Sequence, residues 1–261
     1  MGFNTRKIQR NGVEYIVNDS PSYQGFWNSF SYWEIETFQI FDRYLNAGST
    51  YLDIGAWIGP TVLYGAQKAK HVYAIEPDPI AYQELTKNLK LNDTIFSKVT
   101  CINSAMSEKE GNITLFKRNE LGDSMSSILP TRSEKDSCEV RAISINELIR
   151  HYDLSEINFI KMDIEAGEYF LIPSISEYLK NNRPTLNLSI HPPFLFEAEK
   201  LKLTRDIHSG SSYQIEALTK RILESLEFYK YIYDPQGNLT NKDEILNLKD
   251  NGMFIFTDEP W

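Results

Sequence analysis

The chain has 261 residues, of which 41% are hydrophobic, and its 36 acidic against 27 basic residues give a formal charge of −9. An acidic balance of this size argues against broad binding to a phosphate backbone, so we expect no nucleic-acid partner. The two cysteines, Cys101 and Cys138, cannot build a disulfide framework and show no metal-ligand spacing, so we expect a reduced, cytoplasmic setting. No stretch is apolar enough to span a bilayer, so we expect no membrane span.

The N-terminal segment predicts a hairpin followed by a helix. Residues 7–10 and 13–17 flank an Asn-Gly dipeptide, which is a strong two-residue turn signal. Residues 23–41 are rich in aromatic side chains, and residues 34–45 have a helical pattern. The aromatic residues fit either ordinary core packing or a wall of a substrate pocket. We predict that residues 1–48 form a cap on a main domain spanning residues 49–261.

The main domain alternates between short apolar strands and helices. This rhythm predicts an α/β fold, with a parallel sheet covered by helices on both faces. The predicted strands are 51–54, 71–75, 99–103, 159–162, 185–190, 229–233 and 253–256, with a polar hairpin before the last of these, and the predicted helices are 59–68, 79–91, 145–151, 168–180 and 213–226.

One insertion interrupts the alternation. Residues 112–117 and 139–143 predict a two-stranded excursion, and the polar segment 118–137 between them predicts a loop. Because loops of this length in compact domains are lids, binding loops or disordered segments, we expect Ser124 and the residues up to Ser127 to approach a ligand, with a solvent-exposed linker as the alternative.

The segment 51–59, YLDIGAWIG, carries the strongest chemical signal. It predicts a strand that turns through Gly55 into a helix whose free N–H groups face a ligand carboxylate or phosphate. Asp53 would accept a hydrogen bond from an ammonium group, and Glu76, at the end of the next strand, would hold ribose hydroxyls. A nicotinamide-binding fold would need a Gly-x-Gly-x-x-Gly pattern, which Ala56 and Trp57 interrupt. The alternative is that the two glycines only form a tight turn between strand and helix and bind no ligand.

A second set of candidates follows two later strands. Asp163 ends the strand 159–162, and Glu165 lies in the turn after it, so both should face the crevice at the carboxyl edge of the sheet. We expect Glu168 to decorate the first turn of the next helix. His191 ends the strand 185–190, where it fits either a structural role or that of a general base.

These residues resemble two related families. The segments DIGAWIG (53–59) and Glu76-Pro77 resemble the cofactor motifs of class I methyltransferases, and FIKMDIEAGE (159–168), CINSAMS (101–107) and VRAISINEL (140–148) resemble the FkbM family more narrowly. The resemblance covers residues 49–191 and implies a Rossmann-like, seven-stranded, mostly parallel sheet that binds S-adenosylmethionine. It implies a cofactor site of Asp53, Gly55, Ala56, Ile58, Gly59, Glu76, Pro77, Ser104, Ala105 and Asp163.

The resemblance also implies the chemistry. FkbM-like enzymes commonly methylate hydroxyls, so the expected acceptor is a sugar, a glycan precursor or a related small metabolite, with Asp163, Glu165 and His191 as catalytic residues. A divalent metal held by the same three side chains stays open, as does a homo-oligomer. An NAD-dependent oxidoreductase and a non-catalytic cofactor-binding module are the alternatives.

The sequence departs from the family pattern at three places. Trp57 stands where Asn is common, which removes a polar contact to the cofactor. The order Ala166-Gly167 reverses the usual Gly-Ala order in the turn before the next helix. Ser189 stands where the family often has an acid two positions before the histidine, so that support for His191 is missing.

Overall fold

The computed structural model of the chain describes residues 4–130, 136–203 and 215–261. Its main sheet has seven strands, six of which are parallel because β12 alone runs antiparallel to its neighbours. The strands are β3 Thr50–Ile54, β4 His71–Ile75, β5 Val99–Ile102, β9 Ile157–Met162, β10 Thr185–Ile190, β11 Tyr231–Tyr233 and β12 Gly252–Thr257, in the spatial order β5-β4-β3-β9-β10-β12-β11. The predicted α/β fold is confirmed.

Helices cover both faces of this sheet. The first face carries α1 Gln24–Ser29, α2 Ile35–Tyr44, α3 Pro60–Lys68, α4 Pro79–Lys90 and α5 Asp93–Phe96, and the second carries α6 Ile145–His151, α7 Glu168–Asn182, α8 Pro192–Leu203, α9 Ile215–Ser225 and α10 Lys242–Leu246. A 3-10 turn, Phe30–Tyr32, precedes α2. Because side chains alternate across a strand, Tyr51 enters the first core and Leu52 the second.

The N-terminal hairpin packs against this domain. Its strands are β1 Thr5–Arg10 and β2 Val13–Asn18, as predicted. The backbone N–H of Asn18 donates to the Asn88 side chain of α4 at 2.7 Å, and Tyr15 and Val17 join the core of the first face. The division into a cap and a main domain stays a prediction.

Five features differ from the predicted elements, and two of them are the short helices α1 and α5, for which no helix was predicted. The insertion is a three-stranded sheet, because β6 Ala105–Met106 pairs with β8 Ser137–Ile143, which also pairs with β7 Gly111–Phe116. Helix α8 begins directly after His191, because proline at the first helical position costs no hydrogen bond. The segment between β11 and β12 contains α10. Residues 131–135 of the predicted loop and 213–214 of a predicted helix lie outside the described residues, among which no helix could cross a bilayer.

Candidate active site

The turn after β3 shapes the crevice at the carboxyl edge of the sheet. Gly55 has φ 90°, and a side-chain carbon there would lie 2.0 Å from the carbonyl oxygen of Asp163. The N–H groups of Gly55 and Ala56 both donate to the carbonyl of Ile75 at 3.0 Å, which fixes the turn against β4. Gly59 has φ 94° at the start of α3. Glycine is therefore required at position 55 by both conformation and space.

Two adjoining cavities open at this edge. The first is lined by Gly55, Glu76, Pro77, Ala105 and Asp163, together with Glu165 and residues of the 118–130 loop. The second is lined by Trp33, Glu34, Ala56, Thr61 and Lys161. Gly55, Trp57, Ser124, Asp163 and Glu165 line both cavities, so the two lie side by side at the carboxyl edge of the sheet.

Glu76 follows β4 and lines the first cavity; its contact with ribose hydroxyls stays a prediction. Its Oε2 accepts from the backbone N–H of Trp57 and its Oε1 from that of Asp78, each at 2.7 Å. Burial raises the pKa of Glu76 to about 8, although both N–H donors oppose the shift. The carboxyl oxygens of Glu76 can still accept hydrogen bonds from hydroxyl groups, whether the group is neutral or already bonded to the two N–H groups.

Four predicted cofactor residues lie behind the crevice and line neither cavity: Asp53, Ile58, Gly59 and Ser104. Asp53 is completely buried, and its Oδ2 accepts from the Thr61 hydroxyl at 2.6 Å while its Oδ1 has no hydrogen-bond partner. Burial raises the pKa of Asp53. The four residues shape the turn and its support, and their contact with a cofactor stays a prediction.

The predicted catalytic residues come together. The Nε2 atom of His191 lies 3.2 Å from Oδ1 of Asp163 and 3.4 Å from Oε2 of Glu165. On its other side, Asp163 contacts the buried ammonium of Lys161, with Nζ 3.2 Å from Oδ2. Asp163 and Glu165 line the cavities, whereas the imidazole of His191 lies behind them and is 4% exposed.

Glu168 lies in the first turn of α7, as predicted, and has a second role that was not predicted. It is fully buried, and its Oε1 accepts from the backbone N–H of His191 at 2.8 Å and lies 3.1 Å from Nδ1. Glu168 therefore supports the imidazole in place of the acid expected two residues before it, where Ser189 stands. The two residues are 23 positions apart, so no local pattern could have identified the contact; only the Glu168 of the family signature gave a signal.

Charge determines the protonation of this cluster. Burial alone would lower the pKa of His191, but the carboxylates of Glu168, Asp163 and Glu165 outweigh it and hold that pKa well above its ordinary value. Burial would raise the pKa of Asp163, but Lys161 and His191 lower it. Burial and the charge of Asp163 raise the pKa of Glu165 to about 8, against the opposing charge of His191. These charges favour the ionised form of Asp163 and the protonated form of His191 at neutral pH.

The turn that carries Glu165 is strained. Glu165 has φ 51° and Ala166 has φ 74°, a left-handed conformation that favours glycine. The hydroxyl of Ser127 donates to the Glu165 carbonyl at 2.6 Å and fixes the turn. The reversed Ala166-Gly167 order therefore leaves the alanine where glycine would relieve strain.

The insertion loop covers the crevice through Gly122. Its carbonyl accepts from the indole Nε1 of Trp57 at 2.8 Å and from the hydroxyl of Tyr23 at 3.2 Å, and its N–H donates to Asp78 at 2.7 Å. Ser124 lines both cavities, as expected for this part of the loop. The polar atom of Trp57 thus binds the loop. That a ligand orders the loop stays a prediction.

Comparisons with known proteins agree with this geometry. The family model described as "Methyltransferase FkbM domain" matches residues 53–233. A comparison with curated proteins gave no match.

Three solved structures resemble the chain. The methyltransferase FkbM of Methylobacillus flagellatus KT is 20% identical over 80% of this chain and 44% of its own, with a TM-score of 0.48, so the chain spans less than half the length of that protein. Precorrin 8W decarboxylase of Methanobacterium thermoautotrophicum is 15% identical over 86% of this chain and 89% of its own, with a TM-score of 0.43. TYW2 of M. jannaschii, solved in complex with AdoMet, is 15% identical over 98% of this chain and 85% of its own, with a TM-score of 0.41.

The family match covers most of the chain and includes both motifs that line the crevice, at 53–59 and 159–168. The mostly parallel seven-stranded sheet with one antiparallel strand is the class I methyltransferase architecture. The chain therefore belongs to the FkbM methyltransferase domain family.

Proposed function

We propose that this methyltransferase transfers the methyl group of S-adenosylmethionine to a hydroxyl oxygen of a sugar, a glycan precursor or a related small metabolite. The observation that carries the proposal is that Glu76, Asp163 and Glu165 line one cavity, with His191 directly behind the last two. A cofactor end and a proton-accepting end are thus joined at the carboxyl edge of the sheet, where ligands of open α/β folds bind.

The residues present fit the cofactor that the fold implies. Gly55 lets the turn pass against the backbone of Asp163, where any side chain would clash, and the buried Oδ1 of Asp53 has no hydrogen-bond partner behind this turn. Glu76 would hold the ribose hydroxyls, with Pro77 and Ala105 beside it. S-adenosylmethionine supplies a methyl group already activated on a sulfonium, so the protein has to position an acceptor and remove its proton.

The acceptor hydroxyl would lie against Asp163 and Glu165, which line the crevice. As the oxygen gains the methyl group its O–H bond breaks, and the proton passes through the Asp163 carboxylate to Nε2 of His191, 3.2 Å away. His191 must be neutral to take this proton. Because its pKa is raised, the rate should rise with pH above the neutral region.

A divalent metal is the second arrangement for the same side chains. One ligand atom each from Asp163, Glu165 and His191 lie within 4.8 Å of one another, close enough to share a cation. The ammonium of Lys161 already supplies positive charge to Asp163. We therefore propose proton transfer without a metal. Turnover that chelator abolishes and Mg²⁺ or Mn²⁺ restores would favour the metal instead.

Binding of S-adenosylhomocysteine tests the cofactor site. Calorimetry should show binding to the wild type, and Glu76→Ala and Asp53→Ala should each weaken it by roughly 1.5–3 kcal/mol, the value of a charge-assisted hydrogen bond. Asp93→Ala, an exposed acid on α5, is the matched control and should bind normally. Tight binding of NAD without S-adenosylhomocysteine would instead identify an oxidoreductase.

Transfer of a labelled methyl group from S-adenosylmethionine to extracts of glycan precursors tests the reaction. His191→Ala should lower turnover by about 10²–10⁴-fold and leave cofactor affinity normal. His151→Ala, an exposed histidine on α6, is the control. Label in RNA would contradict the acceptor class, and normal turnover of His191→Ala would remove His191 from the mechanism. Cofactor binding without label in any acceptor would favour a non-catalytic module.

A further inference from the structure

The second cavity is closed by residues that precede the family-matched region. The match begins at residue 53, whereas Trp33 and Glu34 line the cavity from the N-terminal segment. These two residues face Lys161 and Asp163 across it. The crevice of the family domain is therefore completed by side chains that the family motif does not contain.

Glu34 is held in an unusual conformation. Its φ of 42° and ψ of 52° are left-handed, which costs a non-glycine residue roughly 1–2 kcal/mol. Residues strained in this way cluster at ligand sites. Its Oε2 accepts from the Thr37 hydroxyl at 3.0 Å, and within the described ranges it forms no ion pair. Burial and the charge of Asp163 raise the pKa of Glu34 to about 7, against the opposing charge of Lys161 and the hydrogen bond from Thr37.

The apolar wall beside Glu34 is rigid. The ring of Phe26 packs edge-to-face between Trp57, at a centroid distance of 4.6 Å, and Trp33, at 5.2 Å. Both indoles line the second cavity. Fixed aromatic walls of this kind suit the apolar faces of ring-shaped ligands.

The polar side of the cavity offers both donors and acceptors. The Lys161 ammonium has three N–H donors and contacts Asp163 at 3.2 Å, with Asp53 4.0 Å away. Glu34 and Glu165 offer carboxyl oxygens. A hydroxyl both donates and accepts, so it can use both kinds of group. Because Lys161 is already paired with Asp163 and Asp53, an uncharged hydroxyl can bind these groups without breaking the ion pairs.

We propose that Glu34 is a specificity-determining residue, which accepts a hydrogen bond from a hydroxyl of an uncharged, polyhydroxylated acceptor lying against Trp33 and Trp57. This inference rests on the proposed function of the same crevice. It adds that the N-terminal segment, outside the family domain, selects the acceptor.

The test measures ligand binding to the full chain saturated with S-adenosylhomocysteine. The probes are the methyl glycosides of D-glucose, D-galactose, D-mannose and L-rhamnose, with the methyl glycoside of D-glucosamine as the cationic comparison, followed by saturation-transfer NMR titration. Glu34→Gln should weaken binding of a neutral glycoside at least about fivefold. Glu36→Gln, two residues along α2 and lining neither cavity, is the matched control and should bind like the wild type.

The outcomes separate the two proposals. If the wild type does not bind S-adenosylhomocysteine, the proposed function fails first. If it does, normal melting temperature and cofactor affinity of Glu34→Gln show that the variant folds. Equal glycoside affinity of Glu34→Gln and wild type would then overturn the role of Glu34. Binding of the glucosamine glycoside alone, or of none of the probes, would overturn the acceptor class.

Discussion

The protonation of His191 depends on one buried contact that can be removed without changing shape. Glu168→Gln keeps the size of the side chain and one acceptor oxygen but deletes the negative charge 3.1 Å from Nδ1. Glu168 is fully buried, so water does not screen this charge. A hydrogen bond to a charged group contributes roughly 1.5–3 kcal/mol, which corresponds to about a 10- to 100-fold change in an equilibrium constant. The equilibrium between imidazolium and imidazole should move toward imidazole by that factor.

Ring NMR measures this equilibrium without an acceptor. The chain has four histidines, so a ¹³C-histidine sample should give four ring signals, of which His191→Ala removes one. We expect the His191 ring to stay charged at neutral pH in the wild type and to lose its proton at lower pH in Glu168→Gln. Glu147→Gln, beside the exposed His151, is the control and should leave the His191 titration unchanged.

Two results would refute the reasoning. A wild-type His191 that titrates at or below the ordinary histidine value would mean that the surrounding carboxylates do not outweigh burial. An identical titration in the wild type and Glu168→Gln would mean that Glu168 orients the ring but does not stabilise its charge.

Three further predictions concern stability and the loop. The pKa of Glu76 is raised to about 8 in the folded protein, so the folded carboxyl keeps its proton at pH values where the carboxyl of the unfolded chain has already lost it. The wild type should therefore lose stability relative to Glu76→Gln between pH 5 and 8, by roughly 2–4 kcal/mol in denaturant titrations. A stability difference that does not change with pH would contradict this. Ala166→Gly should raise the free energy of unfolding by about 1 kcal/mol, since φ is 74°, and a destabilised variant would show that the strain is absent. Limited proteolysis within 118–130 should slow when S-adenosylhomocysteine binds. Trp57→Phe lacks the indole N–H that donates to the Gly122 carbonyl, so this variant should be cut faster than the wild type. Equal cleavage rates with and without ligand, and in both proteins, would show that the loop is a passive connection.

The fold was predictable because its signals are local. Strand and helix periodicity, the Asn-Gly turn of the hairpin and the glycine turn at Gly55 each depend on residues within one or two elements. The two-residue strand β6 and the helix after His191 were missed. Strand β6 is too short for a periodic signal. The prolines at 192 and 193 indicated extended backbone after His191, although proline is also accepted in the first turn of a helix.

The sequence also located the two ends of the candidate site. Parallel strands place their carboxyl ends at one edge, so Glu76, Asp163 and His191 were expected at that edge because each ends a predicted strand. Which of them face the crevice was not predictable, because that depends on side-chain packing. Asp53 lies beneath the turn, and the His191 ring lies behind Asp163.

The sequence by itself determined the sheet, the glycine turn and the acids that end its strands, because each is encoded by neighbouring residues. Only the tertiary structure decided the partner of His191 and the closure of the crevice. Glu168 contacts His191 across 23 positions, and Glu34 lines the same cavity as Lys161, which is 127 positions later in the chain. Such contacts arise when helices pack on a finished sheet, so their geometry depends on the whole core and on no single segment.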